Sequence, residues 1–172
     1  MTTDYLLHSE LDKVLACLMP GNRLVCEVLL QTGLRVSDCL SIRREQVKRQ
    51  FWITEAKTGK RRRVNLTDDL VERILSQSRN SEWAFPGRNN ENPRKRQTIW
   101  KDLKRACVAY RLPCNGAPHS LRKTYAVDLM AKYGDIERVR RALNHDSLTV
   151  TLLYAMADKR LQQRKKNMST GS

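Results

Sequence analysis

One stretch of this chain reads as β-structure, and it limits what the rest can be. Between residues 46 and 66, Val47, Phe51, Trp52, Ile53 and Thr54 lead to the dipeptide Thr58-Gly59, and Val64 and Leu66 follow. β-Branched and aromatic residues on both sides of a glycine-containing turn predict a β-hairpin. The remaining pattern is helical. Ser9 is positioned to cap a helix over about 10–19, Pro20-Gly21 breaks it, and a second helix runs to Thr32, where Gly33 is a natural stop. A short helix follows Arg35, with Ser37 as its candidate cap. Helical periodicity returns at about 68–78, 94–111, 120–133, 135–143 and 147–156, with loops at Pro86-Gly87, Asn89 to Pro93 and Pro113 to Pro118. The expected fold is mixed α/β, mainly α-helical with a small antiparallel sheet. At 172 residues the chain suffices for one sizeable core. A single domain is expected over 1–172, with its core at about 9–156. Residues 157–172 are basic and poor in apolar side chains, a composition that stays mobile unless a partner orders it.

Charge narrows the class of partner. Lys and Arg number 33 against 18 Asp and Glu, a formal net charge of +15, as in proteins that meet a polyanion. The cations form small clusters at Arg43-Arg44, Lys60 to Arg63, Arg94 to Arg96 and Arg164 to Lys166, which describes a basic folded surface rather than one disordered arm. Nucleic acid is the leading partner. Arg94, Lys95, Arg96, Lys101, Lys104 and Arg105, all in the 94–111 segment, make it the candidate DNA-facing element, with a solvated basic helix as the alternative. No apolar run of about 18 residues exists, and the start, MTTDYLLHSE, lacks the basic and apolar regions of a signal peptide. Membrane spanning and secretion are therefore not expected, and the cytoplasm is the expected compartment. Cys17, Cys26, Cys39, Cys107 and Cys114 have no C-x-x-C spacing and sit mostly among apolar residues, so they are expected as reduced thiols. With His8, His119 and His145 the only histidines, no metal site is expected.

Three arginine and lysine positions carry more tension than a solvated face explains. Wound as a helix, PHSLRKTYAVDLMAKYG (118–134) gathers Leu121, Tyr125, Ala126, Leu129, Met130 and Tyr133 on one side, and Arg122 falls near the middle of that side. His119 falls at its edge. A buried guanidinium without an anion or a full set of hydrogen bonds costs several kcal/mol by order of magnitude, so Arg122 needs a protein carboxylate or a bound phosphate. In LLQTGLRVSDCLSI (29–42), Arg35 enters a short helix with Asp38 three residues on, to pair with it or buttress it. Lys57 falls at the hairpin turn, where an ordinary solvated lysine is the plain alternative. Finally, LNHDSLTVTLLYA (143–155) sets His145 nine residues ahead of Tyr154. On one straight helix that separation is roughly two and a half turns, and the two would diverge. Asp146 and Ser147 are good caps, so His145 is expected in a turn before a short helix carrying Tyr154.

Taken together, TGLRVSD, the hairpin EAKTGK, PHSLRK, LNHDS and Tyr154 resemble, in order and spacing, the catalytic domain of the tyrosine recombinases, the phage integrase family. The resemblance covers about residues 9–156. The family pattern maps onto Arg35, Lys57, His119, Arg122, His145 and Tyr154. It implies the DNA breaking-rejoining fold and a site-specific strand transfer, with integration, excision and inversion all open as outcomes. It further implies that Tyr154 attacks the phosphate to form a 3′-phosphotyrosyl link, that Arg35 and Arg122 clamp the non-bridging oxygens, and that Lys57 is the general acid. His119 and His145 would serve as base or as hydrogen-bond donors to the phosphate, with Asp38 in support. These residue types suit the chemistry: forked guanidinium donors match a phosphate's oxygens, and a phenol needs a proton acceptor and nearby cations to become a nucleophile. The implied partners are double-stranded DNA, further recombinase subunits and accessory DNA-bending proteins, with no cofactor. A DNA-binding regulator that has lost activity and a relaxing topoisomerase of the same chemistry remain alternatives.

The chain departs from the family pattern in three respects. Asn144 stands where glycine is usual before the second histidine, and asparagine tolerates the left-handed turn. Lys123 follows Arg122 where histidine is frequent. Most relatives also carry an N-terminal DNA-clamping domain, so an excised catalytic domain and a naturally short member, like the fimbrial phase-variation invertases, are both expected possibilities.

Overall fold

The structure, a computed structural model, describes residue 6 and residues 8–112 and 116–143. Helix α1 spans His8–Cys17 and α2 spans Pro20–Thr32. Ser9 therefore lies inside α1 and is not its cap. Pro20 ends the first helical run and opens the second, because its fixed φ and missing N–H suit a first helical position. Gly33 stops α2 as expected. Its backbone turns left-handed, φ 63° and ψ 22°, and its N–H donates to Leu29 O at 2.8 Å.

Arg35, extended at φ −69° and ψ 144°, is itself the residue that precedes α3 (Val36–Leu40). Ser37 is therefore inside α3 and does not cap it. The hairpin pairs β1 (Gln50–Thr54) antiparallel with β2 (Arg61–Asn65), in register from Gln50 opposite Asn65 to Thr54 opposite Arg61. Thr67 caps α4 (Asp68–Gln77), accepting from Leu70 N–H at 3.5 Å. Helix α5 covers Arg96–Ala109, so Arg94 and Lys95 precede it. Helix α6 runs Pro118–Tyr133, two residues longer at its start than expected, which brings His119 into its first turn. Asp135 caps α7 (Ile136–Ala142) through Arg138 N–H at 3.2 Å. The expected helix at 147–156 lies outside the described residues.

The chain divides into two compact units, 1–124 and 125–172. In the first, α2 is central: it buries Leu24, Val25, Cys26, Val28 and Leu29 and packs against α3, α4 and α5. Phe85, Leu34, Ile74, Ile99, Leu103 and Leu121 complete a core of fully buried side chains, each contributing about 1.5–3 kcal/mol by leaving water. Both strands alternate in burial, with Phe51, Ile53 and Val64 turned inward. Asp102 of α5 fastens the start of α2. Its Oδ2 accepts from Asn22 Nδ2 at 2.7 Å and Met19 N–H at 2.9 Å, and its Oδ1 from Arg105 at 2.6 and 3.0 Å. In the second unit, Ala126, Val127, Val139 and Leu143 pack together, with Tyr125, Leu129 and Met130 against them. Cys26, Cys39 and Cys107 are buried free thiols, and burial pushes those of Cys26 and Cys39 up. Among the described residues no helix is long and apolar enough to cross a membrane.

Candidate active site

The site is assembled around the left-handed turn that ends α2. Gly33 O, left free by the helix stop, accepts from Arg122 Nη1 of α6 at 2.6 Å and from Arg62 Nη1 of β2 at 3.4 Å. Arg62 Nη2 also donates to Thr32 O. Both guanidiniums are buried, Arg122 at 4% and Arg62 at 8% exposure. Glu55, one residue beyond β1 and fully buried, faces them from the hairpin. Its Oε2 accepts from Arg35 Nη1 at 2.7 Å and Thr58 Oγ1 at 3.0 Å, and its Oε1 from Arg62 Nη1 at 3.4 Å. Of the two roles expected of Asp38, the structure shows the pairing with Arg35. It lies 3.8 Å from Arg35 Nη1, and its Oδ1 accepts from Ala56 N–H at 3.1 Å, which ties α3 to the hairpin turn.

The electrostatics of this cluster are unbalanced. Arg35, Arg62 and Arg122 face the carboxylates of Asp38 and Glu55, an excess of one positive charge among these described groups. Burial would push the Glu55 carboxyl up, but the hydrogen bonds from Arg35 and Thr58 and the charges of Arg35 and Arg62 overcome it and hold the carboxyl below its ordinary range. Arg122 is affected in the opposite sense: burial first, then repulsion from Arg35 and Arg62, lowers its guanidinium to about 10.

Lys57 is exposed in the turn between the strands. That turn is closed by Glu55 N–H to Lys60 O at 3.0 Å and Gly59 N–H to Glu55 O at 2.8 Å, with Gly59 at φ 65°. The lysine is thus two residues from the carboxylate that grips Arg35. His119 is exposed in the first turn of α6, one turn before Arg122. His145 and Tyr154 lie outside the described residues. Of the six predicted DNA-facing cations, Lys95, Arg96, Lys101 and Arg105 are exposed. Arg94 is partly buried and donates to Asn22 Oδ1 at 2.9 Å, Lys104 lies over the Trp100 ring at 4.7 Å, and Arg105 is held by Asp102 and by Cys17 O at 2.7 Å. Sequence reasoning missed Glu55 and Arg62. The signal was strand parity, since Glu55 shares the inward face of Phe51 and Ile53, and Arg62 that of Val64.

Residues 5–160 match the profile of the Phage integrase family. The chain belongs to the phage integrase family. Among its phage integrase relatives, the probable integrase/recombinase YoeC of Bacillus subtilis is 30% identical over 134 residues, 75% of this chain and 74% of that protein. The tyrosine recombinase XerD of Pseudomonas aeruginosa is 30% identical over 154 residues, 82% of this chain and 51% of its own. The chain therefore spans about half the length of such XerD relatives. The solved structure of XerH site-specific recombinase bound to a palindromic difH substrate superposes with a TM-score of 0.75 at 21% identity, covering 96% of this chain and 53% of that one. The catalytic domain of bacteriophage HP1 integrase does so with a TM-score of 0.65 at 22% identity, covering 91% and 89%. These likenesses give the chain the tyrosine recombinase catalytic fold, mainly helical with a two-stranded antiparallel sheet. Phage integrase family members are tyrosine recombinases, enzymes that cut and rejoin DNA strands.

Proposed function

We propose that this chain cleaves and rejoins double-stranded DNA at a defined site through a covalent tyrosyl intermediate. The observation that carries the reading is the cluster of Arg35, Arg62 and Arg122 around Glu55, with its excess positive charge and with the exposed Lys57 two residues along the chain from that carboxylate. A phosphodiester is an anion that gathered guanidiniums suit, since their forked donors match its non-bridging oxygens. In the proposed reaction the Tyr154 oxygen attacks phosphorus, the bond to the 5′-oxygen breaks, and a 3′-phosphotyrosyl link forms. Lys57 gives a proton to the departing 5′-oxygen, while His119 or His145 accepts the phenol proton or donates to the phosphate. Rejoining is the reverse, the 5′-hydroxyl attacking the link and Tyr154 leaving. The bond count is conserved, so no external energy source is needed.

The proposed partners are duplex DNA, whose backbone the exposed Lys95, Arg96 and Lys101 would track, and further recombinase subunits. Among the fold's neighbours, a lambda integrase dimer was solved on a COC' core site and a tetramer on a Holliday junction. Accessory DNA-bending proteins belong to the same proposal, as does action in the cytoplasm on the nucleoid. The test is covalent trapping. The protein is incubated with a pool of nicked duplexes of randomised sequence and denatured, and adducts are recovered and sequenced for wild type and Tyr154→Phe. Adducts of a shared sequence in wild type alone support the proposal. DNA binding without any adduct overturns it in favour of a binding-only protein, and sequence-independent relaxation of supercoiled plasmid favours a topoisomerase.

A further inference from the structure

Glu55 is fully buried yet ionised, which a carboxylate tolerates only when its oxygens are taken up by donors. Its donors come from three places: Arg35 before α3, Thr58 in the turn that carries Lys57, and Arg62 on the opposite strand. Arg62 in turn holds the carbonyls of Thr32 and Gly33, and Gly33 O is the atom that Arg122 also grips. Glu55 thus joins the hairpin to Arg35 directly, and reaches Arg122 only through Arg62 and the shared Gly33 oxygen. Resting on the proposed strand-cleavage reading, we infer that Glu55 is a positioning residue that fixes the Arg35 fork and the base of the Lys57 turn to each other, so that clamp and acid meet the phosphate as one body.

This role predicts a result that a purely structural role does not. Removing the Glu55 charge leaves Asp38 as the one described carboxylate facing the three guanidiniums, which strengthens attraction for a phosphate. It also frees the Arg35 fork and loosens the turn, which slows the chemistry, since a displacement of about 1 Å in a reacting group costs on the order of a hundredfold in rate. Binding and cleavage therefore separate. Loss of structure, by contrast, lowers both together with the melting temperature.

The experiment uses the full chain and a duplex recovered by trapping. It compares wild type, Glu55→Gln, Glu55→Asp and Arg62→Lys in equilibrium binding to the uncut duplex, single-turnover adduct formation on its nicked form, and melting temperature. For Glu55→Gln the expected result is adduct formation slowed about a hundredfold with a Kd no weaker than wild type. Glu55→Asp, which keeps the charge on a shorter arm, recovers part of the rate. Arg62→Lys keeps a cation but loses the fork that spans Glu55 and the Thr32 carbonyl. It carries the test if the glutamine variant does not fold, with slowed adduct formation expected at unchanged Kd. A wild-type rate in Glu55→Gln, or parallel loss of rate and affinity, overturns the inference. A wild-type chain that forms no adduct overturns the strand-cleavage reading, and the inference with it.

Discussion

Replacing Arg122 with methionine should remove activity while leaving the folded chain close to its original stability. The guanidinium is lowered to about 10, well below its ordinary range, by burial and by Arg35 and Arg62. At ~1.36 kcal/mol for each tenfold change in proton affinity, keeping it charged at neutral pH costs roughly 3 kcal/mol. Among the described contacts, substitution loses its charged hydrogen bond to Gly33 O, worth about 1.5–3 kcal/mol, while methionine still fills the space of the aliphatic stem. The two terms nearly cancel. Arg122→Met is therefore expected within about 1 kcal/mol of wild type in urea unfolding at pH 7 without DNA. The pH dependence has a definite sign. As pH rises past about 10 the folded chain releases the Arg122 proton before the unfolded chain does, so wild type gains stability relative to the variant up to the ordinary guanidinium value. Inorganic phosphate at a hundred times its Kd should add about 2.7 kcal/mol to wild type and little to the variant. A loss of about 3–5 kcal/mol in Arg122→Met, the usual result of breaking a compensated buried ion pair, would refute the electrostatic reasoning.

Asp102→Ala should cost about 2–3 kcal/mol by stranding the buried Asn22 amide and the Met19 N–H, measured as a shift in urea midpoint. Burial pushes that carboxyl up, but the hydrogen bonds from Asn22, Arg105 and Met19 outweigh it and hold it low, so its contribution is complete above the ordinary carboxylate value. Acid titration should show that contribution disappearing as pH falls through the depressed value, in wild type and not in the variant. Converting Lys95, Arg96 and Lys101 to glutamine should weaken duplex binding and flatten the plot of log affinity against log salt, by about 0.9 for each phosphate that the variant no longer neutralises; an unchanged slope removes that face from the interface. Gly59→Ala meets open space but a φ of 65°, so it should destabilise by about 1 kcal/mol. Gly59→Asn should lose less in the same melting assay.

Local chemistry was legible where one residue type determines the backbone. Gly33 as a helix stop, Pro20 as a helix boundary and the Thr58-Gly59 turn all appear where the sequence predicts them. Arg122 was legible as a buried cation because helical periodicity alone puts it among apolar neighbours. Ser37 was misjudged because Arg35 already has the extended backbone that begins α3, which leaves the serine inside. The partners of the buried charges were not legible. Arg35 finds Glu55 twenty residues away and Arg122 finds Gly33 eighty-nine residues away, and no periodicity encodes such pairings. Glu55 and Arg62 could have been flagged as buried by parity, but the choice among Asp38, Glu55 and a phosphate as counter-ion depends on how the hairpin docks on α2. Asp102 was hidden for a similar reason, as the one acid in a helix read for its cations.

The carbonyl of Gly33 has a consequence for how such a chain can change. Two guanidiniums, from β2 and from α6, take their position from that one oxygen, and its direction is dictated by where α2 happens to stop. The end of a core helix thus serves as a common datum for Arg62 and Arg122. Exposed residues can drift freely, whereas any insertion or deletion within α2 rotates the datum and misaligns both arginines at once. A changed surface is therefore accessible by gradual change, and a changed Arg62–Arg122 geometry is not.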